Sequence, residues 1–500
     1  MSSWVGSSLH AAPRVTGRPA RSTPWLSGVL ALPLLHQALA VLTIAVLAAP
    51  AVTPAAGLER HLFPAAVTVV AGWLAARRRF AAYATFCLWL FMLTPLVRRL
   101  VDLHAGYVQG NDLMLAPYLA LVWSAGALPR FFLARGGRAQ WPFAAVFAAI
   151  LYGFVLAAAQ GRSLPAVLDL LRWAMPPLLA CAIIARGAAD PEAWRQLCRE
   201  LGALALLALP LLGLYGLYQF VVAPAWDAAW MLNTGMWSIG LPYPFQIRVF
   251  GTMNSPASLA YFLQALILIA LTLRSPLRWV GVGLGAAALA VSLVRSAWVG
   301  LAVGLVLLPL LAPLRVRASF LVLMAGALIL APVALSSPQV EKLVSERVQS
   351  LTDLGTDQSV AVRSQGYAQT LDETSRRPWG EGLGIVNVAA SYSDRVRVID
   401  GGPIEVVLSL GVVAGFIYLG AVGALLLVAL LRAISGDDGG ITSAARVIAL
   451  VQILALYSLN SLTGEIGMLF WASVAVIIAA PRGGSQARPV IQGVSGAAGS

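Results

Sequence analysis

Two arginines, Arg248 and Arg295, stand where water is scarce, and a third, Arg363, lies on a polar outer loop. Arg248 lies in the run Gln246-Ile247-Arg248-Val249-Phe250-Gly251-Thr252-Met253-Asn254-Ser255-Pro256, Arg295 interrupts the apolar stretch Ser292-Leu293-Val294-Arg295-Ser296, and Arg363 lies in Val362-Arg363-Ser364-Gln365-Gly366-Tyr367. An arginine at hydrocarbon depth costs about 2.5–3.5 kcal/mol even on the lenient insertion scale. A diphosphate could offset that cost, because a guanidinium fork matches phosphate oxygens in a bidentate way. Simpler accounts stay open: Arg295 can mark a hairpin turn and snorkel to the interface, and Arg363 can sit in a surface ion pair.

Two carboxylates follow. Asp400 stands just before Gly401-Gly402-Pro403 and an apolar run, with Glu405 close behind. Either can cap a helix start or take a proton from an attacking hydroxyl at a membrane surface. The run Pro378-Trp379-Gly380-Glu381-Gly382-Leu383-Gly384 can bring backbone N–H groups to an anion or simply make a turn. Asp169 and Arg172, spaced i, i+3, are expected to pair with each other or with a neighbouring helix. Arg98, Arg99 and Asp102 read as interface anchors, and Glu465 as a further group facing the same cavity.

The elements that must position these groups are membrane spans. Hydrophobic residues make up 59% of the 500 positions, charged residues 11%, and mean hydropathy is +0.81. A soluble chain carries roughly 25% charged residues, so this one cannot face water all round. Hydropathy gives about fourteen candidate spans, near 26–49, 62–76, 80–97, 113–129, 142–159, 164–185, 203–222, 255–273, 279–294, 296–313, 318–337, 403–431, 445–459 and 466–480. The turns around Arg78 and Arg295 read as tight hairpins or re-entrant segments.

The net charge of +13 comes in arginine clusters at the ends of apolar runs, not as a basic stripe with stacking aromatics, which sets nucleic acid aside. Alternating the spans from an inside N-terminus puts twenty arginines on inner segments against Asp190, Glu192, Glu200, Asp437 and Asp438, while acids outnumber bases in the remainder. That is the positive-inside pattern. Cys87, Cys181 and Cys198 avoid the long polar loops, and the four histidines lie in the first quarter without zinc spacing, so neither a disulfide framework nor a metal site is expected.

The expected organisation is a disordered basic arm over 1–24, an N-terminal bundle over 25–222 and a first outer loop over 223–254. Spans follow over 255–337, then a large outer loop over 338–402, spans over 403–480 and a disordered tail over 481–500. The first outer loop is rich in aromatics (Trp226, Trp230, Trp237, Tyr243) suited to the headgroup level. An outer loop of roughly 65 residues is long enough to be presumed functional, and short amphipathic helices are expected in it near 338–350 and 358–376.

On four pieces in order, the sequence resembles the O-antigen ligase and polymerase family, which includes exopolysaccharide repeat-unit polymerases. These are Arg248 to Pro256, the Ser-x-x-Arg run ending at Arg295, Arg363 followed by Pro378 and Gly380-Glu381-Gly382-Leu383-Gly384, and Asp400 to Gly415. The resemblance spans about residues 240–430. It implies an all-α polytopic fold of about 12–14 transmembrane helices with a large periplasmic loop, related to the C-type glycosyltransferases. It further implies a bacterial inner-membrane enzyme with cytoplasmic termini that works on the periplasmic side. The expected reaction is inverting glycosyl transfer from an undecaprenyl-diphosphate-linked glycan to a glycan or lipid-linked acceptor, without cofactor, nucleotide sugar or metal. Membrane lipid and polysaccharide-assembly proteins are the further partners implied.

Arg295 and Arg363 best match the arginines that hold the donor diphosphate, with Arg248 a third. Gly411 fits a glycine of the ligase pattern, but Asp400 and Gly401 occupy its histidine and asparagine positions. That departure favours a repeat-unit polymerase over a ligase and makes Asp400 the candidate base, with Glu405 beside it. A transporter or flippase of lipid-linked sugars is the alternative. The charge pattern is checked with a phosphatase reporter that matures only outside the cytoplasm: joined after Gly235 or Asp357 it is expected to be active, and after Arg432 or Pro481 silent.

Overall fold

The computed structural model describes residues 31–134, 138–312, 317–318, 321, 376–385, 401–432 and 440–481. Arg363, Asp400, the loop helices expected near 338–350 and 358–376 (Arg376 apart), most of the eleventh span, the basic arm and the tail lie outside the described residues. Among the described residues every regular element is helical, and the one β-bridge joins Gly240 to Ile247.

In chain order the α-helices are α1 (Ala31–Leu47), α2 (Ala56–Ala76), α3 (Phe80–Ala105), α4 (Ala116–Leu121), α5 (Leu128–Leu133), α6 (Gln140–Ala159), α7 (Ser163–Ala189) and α8 (Pro191–Val222). They continue as α9 (Ala225–Thr234), α10 (Pro256–Thr272), α11 (Arg278–Val291), α12 (Arg295–Leu311), α13 (Gly402–Leu430), α14 (Ile441–Ala455) and α15 (Gly464–Ala479). α3, α6, α7, α8, α13 and the segment Asp112–Leu133 are long and apolar enough to cross a membrane, and α1, α10, α11, α12, α14 and α15 are shorter apolar helices. Apolar side chains cover the outside as well as the core: Leu35, Leu42 and Val46 on α1, Val306 and Leu310 on α12 and Phe416 on α13 are exposed. Such a surface needs hydrocarbon around it.

Most helices fall where hydropathy puts them. α8 starts earlier, at Pro191 rather than near 203, because the Asp190 side chain caps it (Glu192 N to Oδ1, 2.9 Å) and proline suits its first turn. Glu200 therefore belongs to no inner loop: it is buried in α8, with His36 Nδ1 at 2.6 Å and Gln37 Nε2 at 2.5 Å. The turns at Arg78 and Leu293 are tight hairpins, each with one residue at positive φ (58° and 56°).

Small residues let the helices close up. α11 packs along α8 and α15 along α7; a Cβ on Gly213 would lie 2.6 Å from the Leu284 carbonyl carbon, and one on Gly187 2.8 Å from Ala479 Cβ. Glycine at such crossings admits the backbone contact that drives helix association in lipid.

α13 is broken. Gly411 has φ 77° and ψ 177°, which splits the helix after Leu410. The carbonyls of Leu408 and Ser409, left without their helical partners, accept from the backbone N–H of Glu381 (2.8 Å) and Gly382 (3.0 Å), and Val412 N donates to Pro378 O (2.9 Å). The segment 378–384 is thus threaded into the break. Gly380, Gly382 and Gly384 all have positive φ, and Cβ atoms on the last two would lie 2.6 Å from the backbones of Ala157 and Pro165. Only glycine fits such a conformation and approach.

Gly411→Ala is expected to cost about 1–3 kcal/mol, since an alanine there meets the Trp379 backbone in a strained conformation. Gly420→Ala, in the same helix with nothing within 4 Å, is expected to be neutral or slightly stabilising. Melting temperatures of the two variants in detergent check the contrast.

Candidate functional site

The glycine-rich run does not offer its N–H groups to an anion. Gly380 N bonds Arg377 O (3.1 Å), Glu381 N and Gly382 N fill the α13 break, Leu383 N bonds Gly153 O (3.0 Å), and Gly384 N bonds Asp169 Oδ2 (2.9 Å). Arg162 clamps the same run through the carbonyls of Leu383 (3.0 Å) and Glu381. The anion-cradle expectation is corrected: a buried backbone must satisfy its own donors, and these are spent on holding the large loop to α6, α7 and α13.

That docking ends at a polar cluster. Asp169 accepts from Gly384 N with one oxygen and from Arg172 Nε with the other (2.7 Å). Arg172 also reaches Glu405 in the first turn of α13, and Asn460 lies beside that carboxylate. The expected Asp169–Arg172 pair is present and joined by a third member. Glu405, the second candidate base, is 3% exposed and engaged with a guanidinium, so it positions Arg172 rather than standing ready for a proton.

α15 begins against this group. Its first residue is Gly464 (φ 62°), where a Cβ would lie 3.3 Å from Arg172 Cγ and 3.5 Å from Tyr118 Oη. Glu465 follows, half-buried, and accepts from Ser258 Oγ in the first turn of α10 (2.7 Å). Thr463 Oγ1 is buried and makes no hydrogen bond among the described residues. Asp169, Glu405 and Glu465 against Arg172 give this corner an acidic balance.

A second corner is basic. Arg248 is half-buried and donates from Nη1 to Ser238 O (2.8 Å) and from Nη2 to Leu293 O (3.4 Å). The latter carbonyl precedes Arg295, the first residue of α12, by two positions. The structure therefore brings Arg248 and Arg295 to one turn. A helix N-terminus carries positive partial charge, and an arginine on its first residue adds to it, so the turn suits an anion.

Between the corners runs the segment 249–258, and its anchors correct an expectation. Arg99 is no interface anchor: it is wholly buried, with Nη1 2.9 Å from Asp227 Oδ1, Nη2 donating to Gly251 O (2.7 Å), and its plane over the Phe250 ring. Gln219 accepts from the N–H of Phe250 (2.9 Å) and Gly251 (2.8 Å) and donates to Asp227 Oδ2 (2.7 Å). Burial pushes the Asp227 carboxyl up, and Arg99, Gln219 and Tyr215 work against that rise. Arg98 and Asp102 are also buried, paired at 3.2 Å, with Asn111 Nδ2 on the other oxygen (3.1 Å). Trp230, expected at the headgroup level, is buried against Phe250. The segment then passes Asn254, whose Nδ2 meets Met114 Sδ (3.7 Å) four residues from Tyr118.

Of the expected site residues, then, Arg248 and Arg295 share the basic turn, Glu405 lies in the acidic cluster, and Arg363 and Asp400 fall outside the described residues. Ser258 and Tyr118 were missed, since each comes to this corner through neighbours far away in sequence, 207 residues in the case of Ser258 and Glu465. Among the described residues no three His, Cys, Asp or Glu side chains gather as a metal site.

The chain is a helical membrane protein with several buried ion pairs. No family model matches it, and comparison with curated proteins finds no match either. Breaking a buried pair leaves an uncompensated charge and costs about 3–5 kcal/mol. Asp227→Asn is accordingly expected to lower the melting temperature in detergent markedly, and the double variant Arg99→Met/Asp227→Leu to recover most of the loss.

Proposed function

We propose that the chain transfers a glycan from an undecaprenyl-diphosphate-linked donor to an acceptor sugar at the outer face of a bacterial inner membrane. On this reading it is a metal-independent, inverting glycosyltransferase of the O-antigen polymerase or ligase type, with the polymerase favoured because Asp400 replaces the ligase histidine. The observation that supports the reading is Arg248 Nη2 on the Leu293 carbonyl, in the turn that leads into Arg295 at the start of α12, with the segment 249–258 running from there to a cluster of carboxylates.

The chemistry divides between the corners. A departing diphosphate gathers negative charge as the anomeric bond breaks, and preorganised guanidinium groups stabilise it; Arg248 and Arg295 supply two, with Arg363 a third candidate. The attacking hydroxyl must lose a proton to a carboxylate, for which Asp400 is the first candidate by resemblance. The rival reading, transport of lipid-linked sugars, calls for ionisable groups near the bilayer midplane. Arg172, Glu405, Arg99 and Glu465 instead sit within a few turns of helix ends.

Purified protein in nanodiscs, given an undecaprenyl-diphosphate glycan and an acceptor glycan, is expected to form a new glycosidic bond and release undecaprenyl diphosphate, with or without a chelator. Arg248→Ala and Arg295→Ala are each expected to lower kcat/KM roughly 100-fold, the scale of one lost charge-stabilising donor. Movement of intact lipid-linked glycan across a bilayer without bond exchange would instead establish transport.

A further inference from the structure

Several carboxylates lie in or beside the candidate site, and the geometry sorts them by what their oxygens already do. Asp169 has both oxygens occupied, by Gly384 N and Arg172 Nε. Glu405 is 3% exposed and bound to Arg172. Asp227 is wholly buried beneath Gly251, paired with Arg99 and Gln219. Glu465 differs from all three: it is half-buried, takes one hydrogen bond, from Ser258 Oγ at 2.7 Å, and among the described residues forms no ion pair.

Its surroundings are built for a polar guest. Arg172, Asp169 and Tyr118 lie within electrostatic reach of the α15 start, and Glu405 faces Arg172 from α13. Ser258 fixes one carboxylate oxygen of Glu465 from α10, and the other takes no hydrogen bond among the described residues. Thr463 Oγ1, 3% exposed, is a buried polar atom without a hydrogen-bond partner among the described residues at the same helix start. A buried group of that kind is normally satisfied, and a ligand rich in hydroxyls would satisfy it. The acidic balance of the cluster repels a diphosphate and accepts hydroxyl hydrogens.

We infer that the cluster at the start of α15 is the acceptor-sugar subsite and that Glu465 is the proton acceptor for the attacking hydroxyl. This rests on the glycosyl-transfer reading and replaces Asp400 in the role of base. As the acceptor oxygen bonds to the anomeric carbon, its proton passes to Glu465. The bond from that carbon to the diphosphate oxygen breaks, and its electron pair leaves with the diphosphate. Thr463 and Tyr118 orient the acceptor through its other hydroxyls, and Arg172, held by Asp169 and Glu405, fixes the floor.

The test is turnover in nanodiscs of an undecaprenyl-diphosphate glycan, with an acceptor glycan or with azide, an anion that attacks carbon without losing a proton. Glu465→Gln keeps the size of the side chain and is expected to lower kcat for acceptor transfer about 100-fold or more, the scale of general-base catalysis, while donor binding persists. Azide is expected to restore donor breakdown in that variant, giving the glycosyl azide of inverted configuration. Glu465→Asp, which keeps a carboxylate, is expected to retain part of the turnover.

Wild-type kcat in Glu465→Gln overturns the assignment, as does a loss that azide does not relieve while donor stays bound. Azide rescue of Asp400→Asn in place of Glu465→Gln gives the base to Asp400 and also overturns it. A wild-type protein that breaks no donor bond under any of these conditions fails at the level of the reaction class itself, a result separate from the other three.

Discussion

Inside hydrocarbon there is no water to complete a hydrogen bond, and the break in α13 is where this constraint shapes the structure most. A helix interrupted at Gly411 exposes carbonyls at membrane depth, which a lipid-facing backbone cannot tolerate. The chain solves this with another piece of itself: the strand-like run 378–384 gives its N–H groups to Leu408, Ser409 and Gly153. Three glycines at positive φ are the means of approach. Residues 378–384 are thereby held against α6 and α7, and their last donor, Gly384 N, reaches Asp169.

The same scarcity of water governs the charges. Asp169 and Glu405 share one guanidinium, Arg172, and Asp227 is matched to Arg99 with Gln219 completing its shell. These pairs add little net stability over an apolar core, because desolvation offsets their attraction. What they do is fix register. Arg99 and Gln219 together hold the backbone at Phe250 and Gly251, which sets where Arg248 leaves the loop on one side and where Ser258 begins α10 on the other. The basic turn and the acidic cluster are two ends of one pinned segment, and the proposed division between leaving group and acceptor follows from that arrangement.

Arginine and glycine each play two parts that sequence cannot separate. Arg98 and Arg99 are neighbours at the end of one apolar run, the usual mark of an interface anchor, yet both are buried, the second completely. Gly380, Gly382 and Gly384 carry the pattern of an anion loop, yet their donors are consumed by protein carbonyls and a carboxylate. In both cases the deciding partner lies far off in sequence: Asp227 for Arg99, Leu408 and Ser409 for the glycine run.

The amino-acid order alone determined the solvent, the helical class and the approximate place of most described helices, because hydropathy and helix capping act over a few turns and need no distant partner. The Asp169–Arg172 pair was legible for the same reason, as was the tight turn before Arg295. Tertiary structure decided which charges meet. Arg248 meets the turn before Arg295, Glu405 joins Arg172, and Glu465 accepts from Ser258, through contacts that cross from one helix to another. Those depend on which helices pack side by side, a matter of steric fit between surfaces that no local spacing encodes.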